Sequence, residues 1–502
     1  MAKVLISTIP NVDVTKPPGI LSILASCCEQ IDYDYEIFDL SLHMHKKIGL
    51  EQAKSIEVDF SMNEFSSITN KNLYIKCCED FIKCIKKYSP DFVAISVFTF
   101  HSLLSAQTLL DLIQKTKFEK KFKIVLGGVG LTSSRLTKGI SFGKYCLQNK
   151  LCDHIILGEG EKAFIELLKN NLQYPGIDYN PPLKIEDLDD IPTPSYKKIN
   201  PRDYFYSEFP EITLTGSKGC VRKCSFCDVV SYWDKFVYRD GKNVANDLYT
   251  IYKNTGVQHF NFSDSLINGS MKSFRAFNKH IISLKSKDIN FNPTYRGQFI
   301  CRPQSQMNEQ DYIDMKHAGC HTLVVGIESF SEKIRDHMGK KFDNKSIDFH
   351  VEMCAKYQLK TVFLLLSGYV TESIQEHYEN LKALKKYQKY GLARVISAIN
   401  IAVGGLSILP GSPLYNKAEE LGIISSDNFQ TYHVQNNPSL TDIERLRRSV
   451  EVTLTAAKLG YGVLHFPYKI QTLKKMFYHI KQKIQIDDQQ MQLQNKDNQF
   501  AL

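Results

Sequence analysis

The feature that most constrains the fold is a regular alternation of short apolar runs with longer amphipathic stretches over residues 1–175. Runs such as KVLISTI, DFVAISVF and FKIVLGG are rich in valine and isoleucine, as buried strands are. The stretches between most of these runs, such as HSLLSAQTLLDLIQK, have helical periodicity. Strands that alternate with helices predict an α/β domain with a parallel, doubly wound sheet, whose ligands bind beyond the carboxyl ends of the strands.

A second alternating region predicts another α/β domain over residues 211–425. It follows a segment that is dense in proline and aspartate and that includes DLDDIPTPSY. This composition predicts an ordered linker over residues 176–210. Strand–helix repeats that include EITLTGS, HTLVVGIES and KTVFLLLSGYV predict a partial or full parallel (β/α) TIM-type barrel, with functional residues at the carboxyl ends of its strands. We expect a helical region over 426–485 and a disordered, glutamine-rich tail over 486–502.

Composition and charge exclude several classes of protein. The 502 residues are 43% hydrophobic and 23% charged, which predicts a globular protein of more than one domain. The longest apolar run, TVFLLLSGYV, is too short for a membrane span, and the N-terminus has no signal-peptide layout, so we expect a cytoplasmic protein with no membrane partner. The formal charge of +9 is modest and its lysines are dispersed, so a nucleic-acid partner is not expected.

Three of the thirteen cysteines lie close together in the loop TGSKGCVRKCSFCDV, directly after a predicted strand. Cys220, Cys224 and Cys227 have the spacing Cys-x3-Cys-x2-Cys. A structural zinc site needs four protein ligands, and a redox pair needs only Cys-x2-Cys and leaves Cys220 without a role. Three thiolates on one loop favour an iron–sulfur cluster with one iron open to a ligand, while zinc and buried thiols stay open as alternatives. The adjacent pairs Cys27–Cys28 and Cys77–Cys78 predict buried small hydrophobes.

The loop GCVRKCSFCDV resembles the signature loop of the radical SAM enzymes. Around it, DLDDIPTPSY is similar to the linker of the subfamily that carries an N-terminal cobalamin-binding domain. The segments NFSDSLIN, GIESFSEKIRDHMGK, LLLSGYVTES and LPGSPLYNKAEELG resemble its later barrel motifs, and PPGILSILAS, DFVAISVFTF, KIVLGGVG and DHIILGEGE resemble its cobalamin domain. The resemblance spans about residues 3–425. It implies a Rossmann-like cobalamin-binding domain over 1–175 and a radical SAM barrel over 211–425.

The same resemblance implies three cofactors and the residues that hold them. A [4Fe–4S] cluster would be held by the three cysteines, and S-adenosylmethionine would bind at the open iron. The residues implied for S-adenosylmethionine are Phe226, Asp264, Arg296, Glu328 and Gly368. The residues implied for cobalamin are Thr99, Phe100, Gly127, Gly128 and Glu159. No Asp-x-His-x-x-Gly motif marks a lower ligand to cobalt, so an N-terminal domain of this fold that has lost cobalamin stays an alternative.

The function that the resemblance implies is methyl transfer to an unactivated carbon or to phosphorus by a 5′-deoxyadenosyl radical mechanism. Rearrangement or oxidative cyclisation with the same cofactors is the alternative. Methylthiolation of RNA is disfavoured, because the N-terminal cysteines form no spaced set for a second cluster. A cobalamin-binding sensor or carrier would not need the three cysteines. Expected partners are a small-molecule or peptide substrate and an electron donor such as flavodoxin or ferredoxin. No catalytic residue is assigned.

Overall fold

The computed structural model describes residues 3–137, 139–182, 187–205, 208–402, 406–425, 431–464, 471–480 and 482. The chain divides into two compact units, Met1–Leu214 with Asn243–Asn261 and Thr215–Lys242 with Phe262–Leu502. The predicted tail over 486–502 lies outside the described residues, as do parts of the predicted linker and of the predicted helical region. Within the described ranges, every helix is too short or too polar to span a bilayer. The domain boundaries drawn from the sequence stay predictions.

The first unit contains a five-stranded parallel sheet in the order β2-β1-β3-β4-β5. Its strands are β1 (Lys3–Thr8), β2 (Asp34–Ile37), β3 (Phe92–Ser96), β4 (Lys123–Gly127) and β5 (His154–Ile156). Strand β1 is buried along almost its whole length, as expected where helices cover both faces of a sheet. The strand order reverses between β1 and β3, and in sheets of this kind ligands bind at the carboxyl edge beside such a reversal. The predicted doubly wound sheet is confirmed.

Helices flank this sheet and close a large apolar core. They are α1 (Gly19–Glu29), α2 (Leu40–Ile48), α3 (Leu50–Met62), α4 (Ile68–Tyr88), α5 (Leu103–Lys115), α6 (Phe142–Gln148) and α7 (Gly160–Leu168). Side chains start two of them: Asp39 caps α2 by accepting from the Leu42 N–H, and Ser67 caps α4 in the same way. The adjacent cysteine pairs of α1 and α4 are fully buried free thiols, as predicted.

Four short strands precede or follow the cysteine loop along the chain. They are β6 (Glu211–Leu214), β7 (Ser217–Lys218), β8 (Val237–Tyr238) and β9 (His259–Phe262). Strands β6 and β9 are hydrogen-bonded neighbours, and β7 pairs antiparallel with β8. The helices of this part of the chain are α8 (Val229–Tyr232) and α9 (Gly241–Thr255). The cysteines therefore lie in a loop whose two ends are tied together by the β7–β8 pair.

Five strands of the second unit run parallel in the order β16-β13-β12-β11-β10. The strands from this point are β10 (Thr294–Phe299), β11 (Cys320–Glu328), β12 (Lys360–Leu365), β13 (Ile396–Ile401), β14 (Ile423–Ile424), β15 (His433–Val434) and β16 (Gly462–Leu464). A further strand expected from the sequence, NIAVGGLSI over residues 400–408, shares only Asn400 and Ile401 with β13; residues 402 and 406–408 are not in a strand, and residues 403–405 lie outside the described residues. Parallel strands with intervening helices confirm the predicted α/β class here.

Helices connect these strands, with ends set by local capping. They are α10 (Met271–Lys287), α11 (Glu309–Ala318), α12 (Glu332–Met338), α13 (Asn344–Lys356), α14 (Ile374–Lys386), α15 (Gln388–Leu392), α16 (Pro413–Asn416) and α17 (Asp442–Lys458). Capping boxes start α11 at Asn308 and α14 at Ser373. The long helix α17 confirms the predicted helix after residue 425, but the same region also contains β15 and β16, of which β16 pairs with β13, so it is not helical throughout.

Candidate functional site

The three clustered cysteines lie on the loop between β7 and β8. Cys224 is buried, Cys220 and Cys227 are half-buried, and all three are free thiols. The loop is tightly folded, since the Cys227 N–H donates to the Cys224 carbonyl at 3.1 Å. Burial raises the pKa of the Cys224 thiol to about 11; the Lys340 ammonium opposes the rise, and charge on Cys220 and Cys227 adds to it. The three sulfur atoms thus share one electrostatic environment.

This donor set fits an iron–sulfur cluster better than a single metal ion. Among the described residues, no group of three or more His, Cys, Asp or Glu side chains is arranged to hold one ion. A structural zinc site requires such convergence of four ligands. Cysteines that hold a [4Fe–4S] cluster each bind a different iron, so their sulfur atoms do not need to meet at one point. Three thiols on one loop, beside a cation, therefore suit a cluster with one open iron.

A half-buried ion pair lies beside the cysteine loop, with side-chain exposures of 11% for Lys340 and 13% for Glu328. Lys340 Nζ donates to Glu328 Oε1 at 2.9 Å and to the Gly326 carbonyl at 3.0 Å, and it lies 5.6 Å from the ring centroid of Phe226. Burial acts to lower the pKa of the Lys340 ammonium, but the charges of Glu328 and Cys224 outweigh burial and the pKa is raised. The Lys340 ammonium is therefore a positive charge close to the cysteine thiols, which must be deprotonated to bind a cluster.

Glu328 ends β11 in an unusual backbone conformation. Its φ of +62° lies in the left-handed region, which residues with a Cβ atom rarely adopt. The Leu366 N–H donates to its carbonyl at 2.8 Å, and Lys340 engages its carboxylate. Strained residues of this kind concentrate at functional sites, where the surrounding structure fixes them. Phe226 and Glu328, both predicted to contact S-adenosylmethionine, thus meet at the side chain of Lys340.

Asp264 holds the turn that leads into the cysteine loop. Its Oδ2 accepts from the Gly216 N–H at 2.9 Å, and its Oδ1 accepts from the Ser217 hydroxyl at 2.6 Å. Burial raises the pKa of the Asp264 carboxyl to about 7, although these hydrogen bonds act to lower it. Both carboxylate oxygens are engaged by the chain itself. A contact from Asp264 to S-adenosylmethionine stays a prediction, and the observed contacts give it a positioning role.

Substitution of Asp264 is expected to change how stability depends on pH. A carboxyl whose pKa rises from 3.8 to about 7 on folding binds its proton more tightly in the folded state. Its contribution to stability is therefore full below about pH 4 and is lost as the pH rises to 7, a change of about 4 kcal/mol. Asp264→Asn should flatten this decline. Urea unfolding at pH 4.5 and 7.5, followed by fluorescence of the single tryptophan, Trp233, measures it.

The control for this experiment is Glu352→Gln, which neutralises an exposed carboxylate on α13 of the same unit. We expect its pH dependence to match that of the unsubstituted chain. An identical decline in all three proteins would contradict the assignment of a raised pKa to Asp264.

Gly368 and Arg296 complete the residues predicted for S-adenosylmethionine. Gly368 follows β12 with φ of +76°, and its N–H donates to Glu372 Oε1 at 3.2 Å. A Cβ at Gly368 would lie 2.4 Å from Cγ of Arg445, so helix α17 requires glycine there. Arg296 lies half-buried on β10. The roles of both residues toward a cofactor stay predictions.

Ser225, between Cys224 and Phe226, is the best-anchored residue of the cysteine loop. Its N–H donates to the Met338 carbonyl at 3.0 Å, and its carbonyl accepts from the Leu414 N–H at 2.7 Å. Its hydroxyl lies 2.8 Å from the hydroxyl of Tyr369, which also donates to the His337 carbonyl at 3.3 Å. Segments that follow β11, β12 and β13 therefore converge on one residue of the loop. Sequence reasoning missed Ser225 and Lys340, because no spacing rule connects them to the cysteines.

In the first unit, the residues predicted for cobalamin lie after β3, β4 and β5. Gly127 ends β4, and Gly128 has φ of +104°, where a Cβ would lie 2.5 Å from the Val97 carbonyl oxygen. Thr99 caps a turn by accepting from the His101 N–H at 3.3 Å. Phe100 belongs to that turn, and Glu159 immediately precedes α7. All of these residues lie at the carboxyl edge of the sheet, where ligands bind in this architecture.

The same edge has the character of a site for a large apolar ligand. Phe98 is 62% exposed, Val129 is 43% exposed and Phe100 is 38% exposed, whereas apolar side chains of a sheet usually lie inside. Within the described residues, Nδ1 of His101 is buried and has no hydrogen-bond partner. Apolar side chains around closely packed backbone and an orphaned imidazole nitrogen fit the predicted cobalamin, and the individual contacts stay predictions.

A family model and two curated relatives resemble this chain. Residues 214–405 match the model of the radical SAM superfamily. An uncharacterized methyltransferase of Pyrococcus horikoshii is 28% identical over 329 residues, which cover 61% of this chain and 66% of the relative. The cytidylyl-2-hydroxyethylphosphonate methyltransferase of Streptomyces wedmorensis is 22% identical over 378 residues, 65% of this chain and 64% of the relative. The matches span just under two thirds of both relatives.

Two solved structures share the fold over most of the chain. The radical S-adenosylmethionine methyltransferase TsrM from Kitasatospora setae, solved with cobalamin and a [4Fe-4S] cluster bound, has a TM-score of 0.60 at 14% identity and covers 89% of this chain and 82% of its own. The cobalamin-dependent S-adenosylmethionine radical enzyme OxsB, solved with aqua-cobalamin bound, has a TM-score of 0.62 at 15% identity. The match covers 96% of this chain and 71% of the OxsB chain. At these identities the likeness concerns the fold.

Proposed function

We propose that this chain, whose residues 214–405 match the radical SAM superfamily, is a cobalamin-dependent radical SAM enzyme that methylates an unactivated carbon or a phosphorus atom. The observation that carries the proposal is the loop with Cys220, Cys224 and Cys227, held beside the half-buried Lys340 cation within residues 214–405. Two relatives are named methyltransferases, which supports methyl transfer. The fold that this chain shares with TsrM and OxsB supports cobalamin binding by the first unit.

Each cofactor has a set of residues in this chain that would hold it. The three cysteines would bind the [4Fe–4S] cluster, with S-adenosylmethionine at the open iron. The residues proposed for S-adenosylmethionine are Phe226, Asp264, Arg296, Glu328 and Gly368, and those proposed for cobalamin are Thr99, Phe100, Gly127, Gly128 and Glu159. When bound, the cluster would supply the electron for reductive cleavage of S-adenosylmethionine, and cobalamin would supply the methyl-carrying chemistry.

The chain's own contribution is to hold these groups and to fix the charge around them. Lys340 supplies a positive charge beside the thiols, which favours their deprotonated, metal-binding form. The same ammonium orients the Glu328 carboxylate, a candidate acceptor for the ribose hydroxyls of S-adenosylmethionine. Asp264 fixes Gly216 and Ser217 at the start of the loop. The substrate is proposed to be a small molecule or a peptide, and the electron donor a flavodoxin or a ferredoxin.

Anaerobic reconstitution tests the proposal. The full chain is incubated with iron, sulfide and hydroxocobalamin, and iron, sulfide and retained cobalamin are then measured per chain. We expect about four irons and one cobalamin. With dithionite and S-adenosylmethionine we expect 5′-deoxyadenosine. A chain without iron–sulfur absorption would contradict the whole proposal. A chain with the cluster and no cobalamin would contradict methyl transfer and leave the radical chemistry.

The products of S-adenosylmethionine separate methyl transfer from its alternative. Each methyl group that leaves S-adenosylmethionine yields one S-adenosylhomocysteine, whereas rearrangement or cyclisation yields only 5′-deoxyadenosine and methionine. We expect both nucleosides in comparable amounts once the substrate is supplied. Formation of 5′-deoxyadenosine alone, under turnover with substrate, would favour rearrangement or cyclisation.

A further inference from the structure

Helix α17 lies beyond the segment that matches the family, yet its arginines contact the loop over residues 366–373. Nη1 of Arg448 donates to the Glu372 carbonyl at 2.9 Å, to Glu372 Oε1 at 3.1 Å and to the Ser373 carbonyl at 3.1 Å. Arg448 is 2% exposed and Glu372 is fully buried. A buried arginine with this many acceptors fixes the backbone that it contacts, because its removal leaves several buried oxygens without a donor.

Two further contacts hold the same loop from the same side. The side-chain amide of Asn437, just before α17, donates to the carbonyls of Val370 and Glu372 at 3.3 and 3.2 Å. The aliphatic part of Arg445 occupies the space that a side chain at Gly368 would need. The guanidinium of Arg445 lies over the ring of Tyr432, 3.8 Å from its centroid. The loop is therefore held by α17 at Gly368 and Glu372, and by Asn437 at Val370 and Glu372.

The loop 366–373 in turn reaches the cysteine loop through Tyr369. The Tyr369 hydroxyl lies 2.8 Å from the Ser225 hydroxyl, and Ser225 is adjacent to Cys224. Tyr369 is 2% exposed and Ser225 is half-buried, so the contact is partly shielded from water. A continuous series of hydrogen bonds thus runs from Arg448 through Glu372 and the backbone of 369–372 to Tyr369 and Ser225.

We propose that Arg448 is a positioning residue for the cysteine loop, acting through Glu372 and Tyr369, so that α17 is an integral part of the cluster site. The inference deepens the proposed function, because it takes the cysteine loop as the place where the cluster binds. Arg448 contacts no cysteine, and its effect on the cluster is indirect. The prediction is that loss of its guanidinium loosens the segment around Ser225 and Cys224 without unfolding the second unit.

Alkylation of Cys224 in the full chain before cluster reconstitution tests this inference. The rate of modification of Cys224 by iodoacetamide is read from the fragment ions that separate Cys224 from Cys227, since the two cysteines lie in one tryptic peptide. We expect Arg448→Gln to raise this rate about tenfold, because a loop with fewer anchors opens more often. Arg448→Lys, which keeps the cation and one donor group, should restore part of the protection. Melting followed by Trp233 fluorescence checks that the unit stays folded.

Arg447→Gln is the matched control. Arg447 is the neighbouring residue of α17, and its guanidinium pairs with Glu444 and Glu451 of the same helix. We expect this variant to leave the alkylation rate of Cys224 within twofold of the unsubstituted chain. Equal rates in the Arg447 and Arg448 variants would overturn the proposal, since a general weakening of α17 would then explain both.

A double-substitution cycle tests the path through Tyr369. Tyr369→Phe removes only the hydroxyl that contacts Ser225, and it should raise the alkylation rate. Arg448→Gln added to Tyr369→Phe should then have less than a twofold further effect, because the two residues act in one series. Fully additive effects would overturn the path. If the unsubstituted chain takes up no cluster, the proposed function fails, while these rates still decide the role of Arg448.

Discussion

Cys224→Ala is expected to abolish the cluster. Cys224 is the most buried of the three cysteines and is the one whose neighbour, Ser225, is anchored by three separate segments. Its removal leaves two thiols, too few for the three-cysteine ligation that keeps one iron open. We expect the reconstituted iron and sulfide content to fall more than tenfold and the formation of 5′-deoxyadenosine to fall to background.

Cys301→Ala is the matched control, because Cys301 is a fully buried free thiol of the same unit and lies outside the cysteine loop. It should keep the full cluster content and lose only some stability. Iron–sulfur absorption that persists in Cys224→Ala would falsify the ligand assignment. Equal loss in the two variants would point to a folding defect, and the Trp233 fluorescence melting curve would reveal it.

The parts of the site that could be predicted from sequence are those held within one short segment. The spacing of the three cysteines is visible in the sequence because they lie in a single loop. The glycines at strand ends are also visible, because each follows an apolar run that marks a strand. The same is true of the two parallel sheets, because strand and helix periodicities are local signals. The local pattern therefore carried the fold class and the candidate ligands of the cluster.

The contacts that position these ligands are long-range, and no local signal marks them. Tyr369 and Ser225 are 144 residues apart in sequence, and Arg448 and Glu372 are 76 apart. Lys340 reaches Glu328 only because α12 turns the chain back toward the end of β11. The sequence also does not show that both carboxylate oxygens of Asp264 accept hydrogen bonds from Gly216 and Ser217. These long-range contacts depend on how the strands and helices pack against one another, and the periodicity of the sequence does not determine that packing.

Gly128→Ala is expected to remove cobalamin while leaving the cluster intact. At φ of +104° an alanine carries a backbone penalty of about 1–2 kcal/mol, and its Cβ would lie 2.5 Å from the Val97 carbonyl oxygen. The loop after β4 must therefore move away from the loop after β3, at the edge where cobalamin is proposed to bind. We expect cobalamin retention, measured from the visible spectrum after gel filtration, to fall more than tenfold.

Gly49→Ala separates this local effect from the general cost of an alanine at positive φ. Gly49 lies in the same unit with φ of +84°, but a Cβ there has open space, and the residue joins α2 to α3 and does not follow a strand of the sheet. This variant should share the backbone penalty and still retain cobalamin. Both variants should keep the full iron content, because the cysteines belong to the second unit. Cobalamin retention in Gly128→Ala equal to that in Gly49→Ala would mean that the loop after β4 does not contact the corrin, and the assignment of Gly127 and Gly128 would then be wrong.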